Sequence, residues 1–222
     1  MGHAIILREC RQQHQLKLNA MLKDSNNSQE RWDELKDADP PYLGRWGFTI
    51  YRTYYGPGSD ENWDTLLKKA KEETFEALLE EDHDDIAAKI CPLFQLDARS
   101  DPALLDGLSL GDLCKIYHDK VGGEPMPWYR SPVFLAAEEH VLNDIGEGNL
   151  IVKYVDADEP PREEVPLRTN TTEAWWGWSR MELRQIFELW SGLVVMGIRF
   201  WMCSAVHQAD LDDMIWEGND AG

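Results

Sequence analysis

The chain has 222 residues, with 22 lysines and arginines against 41 aspartates and glutamates, so its formal net charge at pH 7 is −19. This acidity argues against a nucleic-acid partner, because the phosphates would be repelled. Hydrophobic residues make up 43% and charged residues 28% of the chain, which excludes collagen-like and wholly disordered proteins and indicates a globular protein with its own core.

The first predicted element is an N-terminal helical arm, residues 1–40, which Pro40 and Pro41 end because proline cannot continue a helix. The apolar run at its start, Ala4–Leu7, is shorter than the roughly 7–15 residues of a secretory signal. The 4 cysteines lie far apart and form no C-x-x-C pair, which is typical of reduced thiols. We therefore expect a cytoplasmic protein.

The strongest predicted strand is the aromatic and β-branched run Trp46–Tyr55, which stops at Gly56-Pro57-Gly58. Side chains alternate between the two faces of a strand. One face is then apolar and carries Trp46, Phe48 and Ile50. The opposite face carries hydroxyl groups, from Thr49, Tyr51, Thr53 and Tyr55.

Three further strands and three helices follow within residues 41–158. The strands are predicted at 93–97, 132–136 and 150–155. Ser59 or Asp60 caps the first helix, Ser109 opens the second, and the third runs from Glu138 to Ile145. The order, two β-α-β halves joined by a helical insertion, predicts an α+β, ferredoxin-like core: a four-stranded antiparallel sheet with helices on one face.

The last region, residues 159–222, is predicted to be a linker followed by a Trp-rich helical extension packed on the core. It holds six of the 10 tryptophans, and Arg180–Trp190 has the spacing of an amphipathic helix. The apolar stretch 189–206 approaches the length of a membrane span but contains Arg199 and two glycines. We predict that this stretch is buried in the core and that the protein does not enter a membrane.

A resemblance to a known family is visible in the first strand and in two later segments. Residues 46–56 fit the pattern WGFTIYRTxYG, 94–97 read FQLD, and 133–135 read VFL. Together they resemble a family of small acidic proteins common in filamentous ascomycete fungi, over about residues 40–190. The resemblance implies a fungal intracellular protein, and it implies no activity and no catalytic residues.

Arg52 is the residue with the clearest candidate chemistry. Alternation puts it on the apolar face of the first strand, and a partly buried guanidinium needs a carboxylate or an anionic ligand as partner. Two interpretations stay open: an anchor for a substrate carboxylate or phosphate, and a structural ion pair with one of the 41 acidic side chains. Aromatic residues able to line an apolar pocket complete the predicted ligand-binding set. They are Tyr51, Tyr54, Tyr55, Trp128 and Trp176.

Motifs for metal, cofactor or nucleophilic chemistry are missing from the sequence. It contains no H-E-x-x-H, no glycine-rich phosphate loop and no G-x-S-x-G. The acidic run from Glu72 to Asp85 lacks the spacing and central glycine of a calcium loop. Cys91 and Cys114 are predicted to be packing residues. We expect no metal and no cofactor, and the sequence assigns no catalytic residue.

Two hypotheses about function follow. The first is a non-catalytic binding or interaction protein that uses an open aromatic sheet face or pocket. Its partner is another protein, a second copy of the chain in a homodimer, or an apolar or anionic small molecule. The alternative is a cofactor-independent small-molecule enzyme of the isomerase, lyase or cyclase type, in which Arg52 anchors an anionic group and a tyrosine or His118 moves protons.

Overall fold

The computed structural model describes residues 46–80, 91–126, 132–158, 177–191, 193 and 214–216. The strands are β1 (Trp46–Arg52), β2 (Phe94–Arg99), β3 (Val133–Ala137), β4 (Ile151–Asp156), β5 (Trp178–Glu182) and β6 (Ile215–Trp216). The helices are α1 (Ser59–Glu80), α2 (Pro102–Leu105), α3 (Leu110–His118), α4 (Glu139–Glu147) and α5 (Ile186–Ser191). Short 3-10 turns occupy Cys91–Leu93 and Leu183–Gln185. The protein is α+β, as predicted.

The six strands in the described part of the chain belong to one mixed sheet, in the order β2-β1-β3-β4-β5-β6. β1 pairs in parallel with β2 and with β3, β4 is antiparallel to β3 and β5, and β6 is parallel to β5. The predicted four-stranded antiparallel, ferredoxin-like sheet is therefore wrong. In the ferredoxin-like plan the two strands of each β-α-β unit are separated by another strand. Here β1 and β2 pair directly, from Trp46 opposite Phe94 to Tyr51 opposite Arg99.

Helices cover both faces of the sheet, although the sequence predicted helices on one face. The first core contains Trp46, Phe48 and Ile50 of β1, packed against α1, α4 and α5. The second core contains Tyr51 of β1 together with residues of α2 and α3. The connections explain this difference. α1 joins β1 to β2 on the first face, and the chain returns from β2 across β1 to β3 through α2 and α3 on the second.

Local signals place most element boundaries within a few residues. β1 to β4 each lie where a strand was predicted, and α1 begins at Ser59. Ser109 caps α3, because its hydroxyl accepts a hydrogen bond from the backbone N–H of Asp112 at 3.2 Å. α4 ends at Gly148, whose φ of +91° is the left-handed conformation that favours glycine.

The C-terminal region contributes to the sheet itself. Arg180–Trp190 was predicted to be one amphipathic helix, but its first residues belong to β5, and α5 begins only at Ile186. Leu183, Ile186 and Trp190 are buried in the first core, so the inward-facing residues were predicted correctly.

Several predicted features lie outside the described residues. These are the arm 1–40, the end of the acidic run at 81–85, and most of the stretch 189–206. Among the helices that the structure describes, none has both the length and the apolar composition needed to cross a membrane.

Candidate functional site

The carboxyl ends of β1 and β2 are the place where the connections of two neighbouring parallel strands diverge. The chain leaves β1 toward α1 on the first face, and it leaves β2 toward α2 on the second face. Neighbouring parallel strands whose connections leave to opposite faces open a crevice beyond their carboxyl ends, and open α/β sheets bind ligands there. Tyr51 and Arg52 end β1, and Arg99 ends β2.

Arg52 organises the loop between β1 and α1. Its Nε donates a hydrogen bond to the carbonyl oxygen of Tyr54 at 2.9 Å. Its Nη2 donates to Ser59 Oγ at 2.8 Å and to Asp60 Oδ1 at 2.5 Å. The guanidinium carbon also lies 4.4 Å from the centre of the Tyr55 ring. One buried side chain therefore contacts four residues of the loop and of the first turn of α1.

This geometry matches the structural interpretation of Arg52. The carboxylate that its buried guanidinium needs comes from the chain itself, through Asp60. The enzyme hypothesis was motivated by an arginine available to a substrate anion, and it loses that motivation here. His118, its candidate proton carrier, lies on another element and contacts the carbonyl oxygen of Ala157 at 3.0 Å.

Tyr54 and Tyr55 lie in the same loop but face different neighbours. The hydroxyl of Tyr55 donates a hydrogen bond to the carbonyl oxygen of Arg52 at 3.0 Å. Burial raises the pKa of Tyr55 to about 12, with Arg52 opposing the shift and Asp101 adding to it. Tyr54 faces Glu139 at the start of α4, and partial burial together with that carboxylate raises its pKa.

Tyr51 lies on the opposite face from Arg52, as the alternation predicts, but it is fully buried. Its ring packs edge-on against Phe134, with the ring centres 5.3 Å apart. Its hydroxyl has no hydrogen-bond partner within the described part of the chain. Burial raises the pKa of this phenol, which Arg99 opposes and Asp97 reinforces. The predicted site residues Trp128 and Trp176 lie outside the described residues.

A polar network lies beside Tyr51 on the second face, across β1 and β2. Asp97 Oδ2 accepts a hydrogen bond from Thr49 Oγ1 at 3.0 Å and another from Arg99 Nη2 at 2.8 Å. The Arg99 guanidinium carbon lies 5.5 Å from the centre of the Tyr51 ring. The parallel register explains this grouping, because Thr49 lies opposite Asp97 and Tyr51 lies opposite Arg99.

Arg99 also holds the segment that follows α3, residues 119–126, which we call the 119–126 loop. Arg99 Nη1 donates hydrogen bonds to the carbonyl oxygens of Val121 at 3.1 Å and Gly123 at 3.0 Å. Arg99 Nη2 donates one to the carbonyl oxygen of Glu124 at 2.8 Å. The N–H of Met126 donates to Thr49 Oγ1 at 2.8 Å. The loop is thereby tied to the second face of β1 and β2.

Sequence reasoning missed Asp97 and Arg99. The available signal was their i, i+2 spacing in a predicted strand, which puts a carboxylate and a guanidinium on one face. Which residues they meet depends on the pairing of β2 with β1 and on its register. Neither could be read from the local sequence, since the predicted sheet had a different strand order.

A second group of charged residues lies around β4, β5 and α4. Lys153 donates to Glu138 Oε2 at 2.5 Å, and its ammonium lies 3.9 Å from the centre of the Trp178 ring. Arg180 pairs with Asp144. These are ion pairs within the fold, and they tie the two strands to the start and the middle of α4.

Cys114 lies in the second core, in agreement with its predicted packing role. Burial raises the pKa of its thiol to about 11, so the thiol stays protonated near neutral pH. In the described ranges no group of three or more histidine, cysteine, aspartate or glutamate side chains is arranged to hold a metal ion.

Comparisons with models of protein families, with curated proteins and with solved structures find no match for this chain. The resemblance to the fungal family therefore stays a prediction.

Proposed function

We propose that this protein binds a small molecule at the carboxyl ends of β1 and β2, on the second face of the sheet. The ligand presents an oxygen acceptor, a carbonyl or carboxylate group, to the hydroxyl of Tyr51. The binding hypothesis from the sequence is retained, but α3 and the 119–126 loop enclose the site, so it is not an open sheet face. Binding is preferred to the enzyme hypothesis because Arg52 already has partners within the chain.

The observation that carries this proposal is the hydroxyl of Tyr51, which is buried without a hydrogen-bond partner among the described residues. Burying an unsatisfied polar group costs about 1–3 kcal/mol, and native proteins retain few such groups. Because burial raises the pKa of Tyr51, its phenol stays protonated at neutral pH and has a proton to donate. A ligand oxygen would satisfy this donor.

The surroundings of the hydroxyl favour an aromatic or otherwise apolar body for the ligand. Phe134 packs against Tyr51, and Tyr117 stacks on Phe134 with the two ring centres 5.5 Å apart. Arg99 supplies a positive charge near the Tyr51 ring, while Asp97 balances that charge. An aromatic ring bearing one carbonyl or carboxylate group matches this combination.

Access to the site depends on the 119–126 loop. The hydrogen bonds from Arg99 to the loop carbonyls are exposed to solvent, so water can replace these three bonds at low cost, whereas the bond from Met126 to Thr49 is buried. A ligand oxygen offers Arg99 the same acceptor chemistry as those carbonyls. Lys120, Gly122 and Gly123 all have positive φ, so the loop conformation depends on two glycines.

Thermal-shift measurements with three probes of similar size test the proposal. Benzoate and benzamide carry an oxygen acceptor, and toluene does not. We expect the two acceptor-bearing probes to raise the melting temperature and toluene to raise it less. In the Tyr51→Phe variant the response to benzoate and benzamide should fall to that of toluene. The unliganded variant should be more stable than the parent by about 1 kcal/mol, because the unsatisfied hydroxyl is gone.

The matched control is Tyr117→Phe, which removes a hydroxyl from the same core and leaves that of Tyr51 in place. Its response to benzoate and benzamide should stay close to that of the parent. The proposal is wrong if no acceptor-bearing probe stabilises the protein, or if Tyr51→Phe keeps the full response.

A further inference from the structure

A separate cleft lies beside the first core, whereas Tyr51 belongs to the second core. It has a volume of about 390 Å³ and lies between α1, the turn from α4 into β4, and the end of β5. This volume is within the range of small-ligand sites, about 300–1,000 Å³. The side chains that matter for its chemistry are Glu73, Leu150, Ile151, Glu182 and Arg184.

Two half-buried carboxylates, those of Glu73 and Glu182, line this cleft. Neither Glu73 nor Glu182 makes a hydrogen bond or an ion pair with the described residues, whereas the neighbouring Glu72 is bound by Lys69 at 2.9 Å. Glu182 holds the N-cap position of the turn Leu183–Gln185, but its side chain makes no capping bond. Partly desolvated carboxylates gain strongly from a cation close by.

The backbone adds to the negative potential of the cleft. Gly148, which lines it, is the residue at which α4 ends. The C-terminal end of a helix carries the negative end of the helix dipole and favours cations. Arg184 is the basic residue among the lining side chains, so the two glutamates and the helix end leave the cleft with an excess of negative charge.

We propose that this cleft binds a small organic cation, an alkylammonium group held by Glu73 and Glu182. Leu150 and Ile151, which are both half-buried and line the cleft, provide an apolar surface for the alkyl chain. The ammonium group would supply both carboxylates with hydrogen-bond donors and a positive charge. This site is independent of the Tyr51 site and of the ligand proposed there.

Calorimetric titration with n-butylammonium, and with neutral n-butanol as a probe of equal length, tests the inference. The titration is done at an ionic strength of about 0.15 M, where the Debye length of about 8 Å screens general attraction to the acidic surface. We expect n-butylammonium to bind one site and n-butanol to bind at least about tenfold more weakly. Glu182→Gln and Glu73→Gln should each weaken n-butylammonium binding by about tenfold.

Matched control variants separate this site from general charge effects. Glu147→Gln removes a carboxylate at the exposed end of α4, and Glu76→Gln removes one from α1, next to Glu73 in the helix but outside the cleft. Both should leave n-butylammonium affinity within about twofold of the parent. The inference is overturned if n-butanol binds equally well, or if all four variants weaken binding to the same extent. Circular dichroism checks that each variant is folded.

Discussion

Arg52 and Asp60 form an ion pair whose two members lie in very different environments. The side chain of Arg52 is 5% exposed and that of Asp60 is 85% exposed. An exposed carboxylate contributes little to such a pair, whereas the buried guanidinium also packs on Tyr55 and binds Ser59. The stabilising role of Arg52 therefore comes mainly from its contacts inside the loop, which a substrate anion would have to disrupt.

The titration of Tyr55 gives the protein a predicted instability at high pH. Its pKa is about 12 in the folded protein, while in the unfolded chain it should be near the ordinary value of 10.0. Because the folded protein holds the Tyr55 proton more tightly than the unfolded chain does, the protonated phenol favours folding. This contribution to the free energy of unfolding is fully present below pH 10.0 and is lost as the pH rises toward about 12. We expect the free energy of unfolding, measured with urea, to fall across this window.

The Tyr55→Phe variant provides the control for this dependence, because it lacks the titrating group. Its free energy of unfolding should fall less steeply than that of the parent between these two pH values. Tyr51 also has a raised pKa, and the thiol of Cys114 shifts in the same direction, so part of the slope should persist. An unchanged slope in Tyr55→Phe would mean that Tyr55 ionises equally easily in both states.

At the scale of single elements, the sequence predicted correctly those features that depend only on residues close together in the chain. The alternation of β1 was predicted correctly, because Phe48 and Ile50 on one face differ sharply in polarity from Thr49 and Tyr51 on the other. The secondary structure of residues 178–190 was harder to predict. Buried Leu183 and Ile186 fit a helical spacing, but residues 178–182 also fit an alternating strand. Pairing with β4 decides between the two, and that is a tertiary interaction.

Strand order could not be predicted from the same local signals. Whether β2 lies directly beside β1 or is separated from it depends on where the connecting helices pack. For the candidate site, sequence reasoning identified Tyr51 and the face it occupies. It missed Asp97 and Arg99, which reach Tyr51 only through the parallel register of β1 and β2.

The close approach of β1 and β2 at Gly47 supports a prediction about this pair of strands. Gly47 has a φ of +131°, and an added Cβ would lie 1.9 Å from the carbonyl oxygen of Gln95. Gly47→Ala should therefore separate the strands locally and lower the free energy of unfolding by about 4 kcal/mol or more. Urea unfolding, followed by circular dichroism, measures this loss.

Gly58→Ala is the matched control for the effect of backbone conformation alone. Gly58 also has a positive φ, of +76°, but nothing lies within 4 Å of the position of its Cβ. Its substitution should cost only about 1–2 kcal/mol, the cost of left-handed backbone for a residue with a side chain. Equal losses in the two variants would show that steric contact with β2 contributes nothing.

At the scale of the whole molecule, the two covered faces change where a ligand can be. An open face would offer its tyrosines directly to a partner, whereas here α3 covers Tyr51 and the 119–126 loop is tied beside it. The site that we propose therefore lies at the carboxyl ends of β1 and β2, where the connections from these strands diverge. The carboxyl ends of these strands carry Tyr51 and Arg99, the groups on which the proposed ligand depends.

The C-terminal region should be required for folding, because it completes both the sheet and the first core. β5 pairs with β4 from Ile151 opposite Glu182 to Val155 opposite Trp178. Met181 is fully buried. A chain that ends at residue 158 should therefore lose cooperative urea unfolding and its near-ultraviolet circular dichroism. If such a chain keeps both, residues 159–222 are a separable extension.

A point variant in the full-length chain tests the same dependence without removing any residue. Met181→Ala should lower the free energy of unfolding by about 2–5 kcal/mol, the usual loss for a buried methionine. Leu79→Ala truncates a side chain that is 52% exposed on α1, and it should change stability by no more than about 0.5 kcal/mol. Similar small losses in both variants would mean that β5 adds little to the core. The large difference expected here follows from Met181 packing in the same core as Trp46 and Ile50 of β1.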